Sequence, residues 1–424
     1  MAKHIKAIKC PHCGSIGKTE IKADHFICSS CNTEYFLDND DININHNINY
    51  NSPQFNPVGG KKIGLIIGCL VGAFFVFALA FPLLFSSKKS YNRSENVRPE
   101  FNWYSETTQA YANKNKQLIA VVFGARRYSG NDNENGTGEY ITFYDLLSHK
   151  ELKTQKTGTF NIANNNDFKL KKLSNGDLYA IANKTTIYKI DKENYLAIDV
   201  TQSLFKNHTV LASGIANAEF AYDSIGEAFN LMNNEGINLF YYPLIDKIFT
   251  KDEISIVQRT FEKKEVNEKL KTQFSFSLLS DDYPEEKIQL LKYTMKDNEG
   301  GPDYYVHLSW KNYKNKKILN YVLWDVIRSY TDLTPGRVYF NPKILFSDKD
   351  YVLIATRKTP AEKSPTNIQC IDAQNGKLIF NYTFPTNHYL DNGIRYKEGF
   401  VVNANNLLMA IGMDGKLIKE FETR

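Results

Sequence analysis

Residues 368–380 read Ile-Gln-Cys-Ile-Asp-Ala-Gln-Asn-Gly-Lys-Leu-Ile-Phe. Two apolar runs of strand length flank a turn. Asn375-Gly376 supplies the positive φ angles of a tight hairpin, and Asp372 just ahead can accept a hydrogen bond from the turn's backbone. The same unit recurs along the chain: a strand, an Asp or other turn residue, a few polar residues, then a second strand opening near a lysine. Copies stand at Ile141–Asp145 followed by Lys150, at Ile187–Asp191, at Val322–Asp325, and at Leu408–Ile411 followed by Asp414-Gly415-Lys416-Leu417. A degenerate copy is Leu239–Tyr242, with Pro243 where Asp would stand. The aspartates at 145, 191, 325 and 372 are 46, 134 and 47 residues apart, and the long interval is close to three periods. A period of 40–50 residues with several strands in each is the mark of a β-propeller, here with room for about six to eight blades over residues 102–424. A pair of β-sandwiches is the alternative architecture. The charged stretch 251–270 reads as a helix inserted on one face, exposed to solvent or to a docking partner.

The segment Cys370–Phe380 resembles the repeat of PQQ-like propellers, a WD40-like architecture in which an Asp, a Gly-Lys turn and an aromatic recur. The resemblance is good in this copy, partial in four or five, and faint over residues 250–300. Quinoprotein dehydrogenases share the repeat. Their adjacent-cysteine disulfide cannot form from Cys370 alone, so the resemblance implies the scaffold and not the cofactor.

At the other end of the chain, Cys10-Pro11-His12-Cys13-Gly14 precedes Cys28-Ser29-Ser30-Cys31-Asn32, with fourteen residues between Cys13 and Cys28. Two CxxC pairs at this spacing suit a tetrahedral four-thiolate zinc site made of Cys10, Cys13, Cys28 and Cys31. After each knuckle the backbone tends to need a positive φ, which Gly14 and Asn32 tolerate best. Thr19–Lys22 and His25–Ile27 read as the strands of a hairpin between the knuckles. Residues 8–36 resemble the zinc-ribbon family, including its CPxCG first knuckle, although the second knuckle departs from that form. Four thiolates complete the shell, leaving His12 and His25 as surface residues and no position for an activated water, so the Zn2+ expected here is structural. It would supply most of the folding free energy of so small a module.

Between these modules, Ile63–Phe85 is a 23-residue run without a charge, flanked by Lys61-Lys62 and Lys88-Lys89. At about 1.5 Å per residue it exceeds the roughly 30 Å hydrocarbon core of a bilayer, and it shows no polar face. The organisation expected is a zinc ribbon at 1–37, an Asn/Asp-rich linker at 38–62, a transmembrane helix at 63–85, a juxtamembrane linker at 86–101 and the propeller-like domain at 102–424. Gly64, Gly68 and Gly72 fall on one helix face and would permit self-association. The flanking charges conflict about orientation: two against four close to the membrane, seven against four over the whole N-terminal segment. Thiolate-bound metal survives best in a reducing compartment, which puts the N-terminus in the cytoplasm and the large domain in the periplasm or outside the cell, as a single-pass inner-membrane protein.

Formal net charge is +5 and thinly spread, without the basic stripe that nucleic-acid binding needs. No HExxH, GxSxG, Walker loop or dinucleotide fingerprint occurs. His149, His208, His307 and His388 are isolated in sequence. Asp281-Asp282 and Glu285-Glu286 read as a solvated loop. Asn131-Asn133-Asn135-Gly136 has the spacing of a calcium loop but lacks its leading Asp and closing Glu. The expectation is a membrane-anchored, non-catalytic binding, sensing or scaffold protein with protein partners. The alternative is an envelope hydrolase or lyase, with His and carboxylates converging on the propeller face.

Overall fold

The computed structural model describes residues 10, 14–22, 25–30, 33–36, 101–128, 136–159, 167–259, 268–320 and 326–423. Among them, β-strands dominate. A small antiparallel sheet is built from β1 (Lys18–Lys22), β2 (His25–Cys28) and β3 (Glu34–Phe36) in that order. The first two strands are the expected hairpin; the third, after the second knuckle, was not anticipated.

The large domain is a propeller of several blades, each an antiparallel sheet, with the strands paired in sequence order in all but blade 4. Blade 1 holds β4 (Phe101–Ala112), β5 (Leu118–Tyr128), β6 (Gly138–Asp145) and β7 (Glu151–Gly158). Blade 2 holds β8 (Phe168–Lys172), β9 (Leu178–Ala182), β10 (Thr186–Asp191) and β11 (Leu196–Asp199). Blade 3 holds β12 (Ile215–Phe220), β13 (Phe229–Asn233), β14 (Asn238–Tyr242) and β15 (Lys247–Phe249). Blade 4 is irregular. Its sheet is β16 (Leu270–Phe276), β17 (Leu290–Lys296) and β20 (Ile327–Asp332), with a separate hairpin of β18 (Ser309–Tyr313) and β19 (Lys316–Asn320). Blade 5 holds β21 (Phe340–Ser347), β22 (Tyr351–Arg357), β23 (Thr366–Asp372) and β24 (Leu378–Thr383). Blade 6 holds β25 (Gly393–Tyr396), β26 (Gly399–Ala404), β27 (Leu407–Gly412) and β28 (Leu417–Phe421).

The middle strands are apolar on both faces because each blade is covered on both sides by its neighbours; in β5, Leu118 to Arg126 are all buried. Successive blades share cores. Ile119, Val121, Phe123, Ile141 and Phe143 of blade 1 meet Phe168, Leu178, Ala180 and Tyr188 of blade 2. Tyr179, Ile181 and Ile187 of blade 2 meet Phe229, Leu231 and Tyr241 of blade 3. Leu353, Ile368, Cys370 and Phe380 of blade 5 meet Phe400, Val402, Met409 and Ile411 of blade 6. The ring closes where Ala110, Leu118, Ala120 and Val122 of blade 1 pack on Ile394, Val401, Leu408 and Phe421 of blade 6. No strand is exchanged at this closure. Packing holds it, together with Asn403 Nδ2 donating to Thr108 O (2.9 Å) and Asn406 Nδ2 donating to Glu106 O (3.0 Å).

The repeated sequence unit is the hairpin of the third and fourth strands. Asp372 Oδ1 accepts from the backbone N–H of Gln374 (2.8 Å) and Asn375 (3.0 Å), and Gly376 stands at φ +72°. Asp191 does the same for Glu193 and Asn194 (both 3.0 Å), and Asp145 for Ser148 (2.8 Å). The positive-φ position is glycine in blades 5 and 6. His149, Tyr195 and Asp246 occupy it in blades 1 to 3 at φ 50–60°, so the Gly-Lys signature is lost there while the geometry survives.

One expectation is corrected, and another falls on residues that are not described. The helix expected over 251–270 is described as α1 (Lys251–Arg259); residues 260–267 lie outside the described residues, and Leu270 belongs to strand β16, not to a helix. Val322–Asp325 lies outside the described residues. The aspartate that ends a blade 4 strand and starts such a turn is Asp332, whose Oδ1 accepts from Thr334 N (2.9 Å). Asp332 is followed by Gly336 at φ +81° and Arg337, as Asp372 is by Gly376 and Lys377. No fourth strand follows Arg337; the chain runs on into β21.

Candidate metal site and the seams of the ring

In the small sheet, Cys10 and Cys28 are both buried in one cluster with Phe26 and Tyr35. Gly14 has φ +72°, and its N–H donates to Cys10 O (2.8 Å), closing the first knuckle. In the second, Ser30 N–H points at Cys28 Sγ (3.4 Å). Cys10 and Cys28 are the two members of the expected four-thiolate set among the described residues, where no group of three or more potential metal ligands comes together. Cys13, Cys31 and His12 lie outside the described residues. His25 Nε2 is 3.6 Å from the Glu34 carboxylate on the neighbouring strand.

Leu378, at the start of β24, packs against the same cluster, and Gly14 lies against the Arg337 guanidinium. A chain that crosses a bilayer once at 63–85 keeps ribbon and propeller on opposite sides. This contact and a single crossing therefore exclude one another within one chain. Residues 63–85, with Gly64, Gly68 and Gly72, lie outside the described residues. Among the described residues no helix is long and apolar enough to cross a membrane.

The histidines of the large domain are not brought together. His149 Nε2 donates to Glu420 O (2.8 Å) beside Phe421, across the closure of blades 1 and 6. His208 bonds Asp246 (2.8 Å), which also accepts from Tyr241 (3.0 Å); these two partners hold the Asp246 carboxyl below its usual range. His307 stacks on Tyr305, and His388 lies on Phe384. The acidic loop is tied to the β18–β19 hairpin. Asp282 accepts from Asn312 N (2.9 Å), Asp281 lies 3.8 Å from Lys311, and Glu286 pairs with Lys317. Of the calcium-like loop only Gly136 is described. Cys370 is buried in the blade 5–6 core, and burial pushes its thiol up to about 12, so it is an inert apolar filler.

The seam between blades 3 and 4 differs from the others. Leu291, Tyr293 and Met295 of β17 are covered by Tyr304, Val306, Leu308 and Leu319, which belong to the long insertion between β17 and β20. The insertion then meets blade 3 through Asp303 N–H donating to Ile225 O (3.2 Å) and through Gly300 and Gly301 beside Leu244 and Ile245. A cavity of about 280 Å³ remains there, lined by Asp223, Lys271, Gln273, Tyr293 and Asp303 among others. Burial raises the Asp303 carboxyl, opposed by Lys271 at 3.9 Å and by the Asn298 amide, and reinforced by Glu227 and Asp223. Sequence reasoning missed this group because nothing local marks it; the insertion creates it.

The architecture defines a β-propeller, and solved propeller structures are among those similar to it. No protein family matches the chain, and no curated protein matches its sequence. Similar solved structures include BamB from Moraxella catarrhalis, with 9% identity, 76% of this chain and 92% of that chain covered, and a TM-score of 0.25. The Dos1 propeller has 9% identity, 76% of each chain covered and a TM-score of 0.21. A putative glycosidase from Bacteroides thetaiotaomicron VPI-5482 has 6% identity, 76% and 86% covered and a TM-score of 0.20.

Proposed function

We propose that this chain is a membrane-anchored, non-catalytic binding, sensing or scaffold protein. Its propeller recognises a protein or envelope ligand in the periplasm or outside the cell. Its zinc ribbon, held by Cys10, Cys13, Cys28 and Cys31, engages a cytoplasmic partner. The observation that carries this reading is the closed ring with shared apolar cores, a rigid support for loops at both rims.

The single crossing takes precedence over the contact of Leu378 with the ribbon for a reason of magnitude. Each central Leu, Ile, Phe or Val of a span favours the bilayer by roughly 0.3–0.6 kcal/mol, several kcal/mol over the whole segment. Partial burial of one leucine offers at most about 2 kcal/mol. Self-association through Gly64, Gly68 and Gly72 belongs to the same reading.

The test is photocrosslinking of the full chain in cells, with the reactive residue placed at exposed ring positions such as Tyr222 and Tyr389. A discrete crosslinked partner is expected at one rim. Absence of any partner, with turnover of an envelope substrate by the purified chain, would overturn the binding reading.

A further inference from the structure

Blade 1 is the longest blade, and its extra length lies at Phe101, where the chain enters it. Strands β4 and β5 span 12 and 11 residues, where the first two strands span 5 and 5 in blade 2 and 6 and 5 in blade 3. Blade 6 bonds β4 only as far up as Glu106 and Thr108, through Asn403 and Asn406. Residues Phe101–Ser105 continue past those bonds, paired with β5 as far as Phe101 opposite Tyr128. On one face of this overhang, Phe101, Trp103 and Tyr140 surround the buried Arg126 guanidinium at 4.0, 4.7 and 5.2 Å. Arg126 also donates to Thr142 (2.5 Å) and Thr154 (3.2 Å), so the overhang is held rigid. On the other face stand Tyr104, 53% exposed, and Arg127, also exposed.

We propose that this overhang seats on the bilayer surface, with Tyr104 at headgroup depth and Arg127 against anionic lipid. Two observations select a lipid surface as the occupant. Only residues 86–100 separate the apolar segment from β4, so this end of blade 1 is where the chain from that segment enters the propeller. The exposed pair is a tyrosine beside a cation, the combination that suits a membrane–water interface with negative headgroups. A seated overhang would fix the tilt of the propeller on the membrane and decide which rim faces away from it. The inference rests on the single crossing proposed above.

The test uses the full chain in vesicles of phosphatidylcholine and phosphatidylglycerol, with and without bromine in the lipid chains. Tyr104→Trp adds an emitter at the overhang, and Ile198→Trp adds one on the outer strand of blade 2, at a residue 50% exposed. Brominated lipid should quench at least half of the emission added by Tyr104→Trp and leave that added by Ile198→Trp unchanged. Equal, weak quenching of both would overturn the proposal. Alkaline carbonate extraction separates this failure from that of the crossing. A chain that stays with the vesicles while Tyr104→Trp escapes quenching refutes only the seated overhang, whereas a chain that is extracted refutes the crossing itself.

Discussion

Blades 5 and 6 meet through an apolar core; blades 3 and 4 meet through an insertion. At the first seam Phe400 sits fully buried among Phe346, Tyr351 and Phe380, with ring centroids 5.7–6.1 Å apart. At the second, backbone bonds, two glycines and a raised carboxyl take the place of interdigitated rings. The difference teaches where this fold draws its stability. A blade with four short strands and a Gly-Lys turn has its packing specified by local pattern. A blade interrupted by thirty residues has to be covered by whatever the interruption supplies.

The largest expected break comes at the regular seam. Phe400→Ala should cost about 3–5 kcal/mol, read as a fall in the denaturation midpoint of the full chain in detergent. A loss below about 1 kcal/mol would mean that the seam does not carry the ring. The comparison sharpens at the two turns that share the Asp-to-Gly spacing. Gly376 has φ +72°, and an added Cβ would fall 1.8 Å from Leu333 O. Gly336 has φ +81° with nothing within 4 Å of that position. Gly376→Ala should therefore destabilise well beyond the roughly 1 kcal/mol that positive φ alone costs, and Gly336→Ala by about that amount. Equal effects would contradict the close approach of the two turns.

The smallest effect belongs to the irregular seam. A carboxyl raised in the folded state costs stability as pH rises through its unfolded value near 4, and the cost is complete above its folded value. Asp303→Asn removes that cost. The variant should melt about 1–2 °C higher than the parent at pH 7, with the gap closing as pH falls below about 4. A gap that widens on acidification would show that the ionised carboxylate is a net stabiliser through Lys271.

How much of this was legible follows the same division. The copies at Asp145, Asp191, Asp372 and Asp414 lie at the expected hairpins because the pattern and the turn chemistry are local. Blade 4 was not legible. Val322–Asp325, where the pattern puts the copy, lies outside the described residues; Asp332-Leu333-Thr334-Pro335-Gly336-Arg337 carries the same Asp-to-Gly spacing, but no apolar fourth strand follows it to mark the unit. Asp303 had no local signal at all, since its environment is assembled from blade 3, β16 and the insertion. For the expected metal site, the knuckle spacing alone nominates Cys10, Cys13, Cys28 and Cys31; only Cys10 and Cys28 are among the described residues, with Gly14 at positive φ after the first knuckle.

Everything about partners depends on the apolar segment dividing this chain between two compartments. Alkaline phosphatase, which is active only in an oxidising compartment, fused after Arg424 of the full chain tests that division most directly. Activity at the C-terminal fusion, with none for a fusion placed before residue 63, is the predicted result. An inactive C-terminal fusion in an intact, well-expressed chain would contradict it, and would leave the contact of Leu378 with the ribbon as the arrangement to explain.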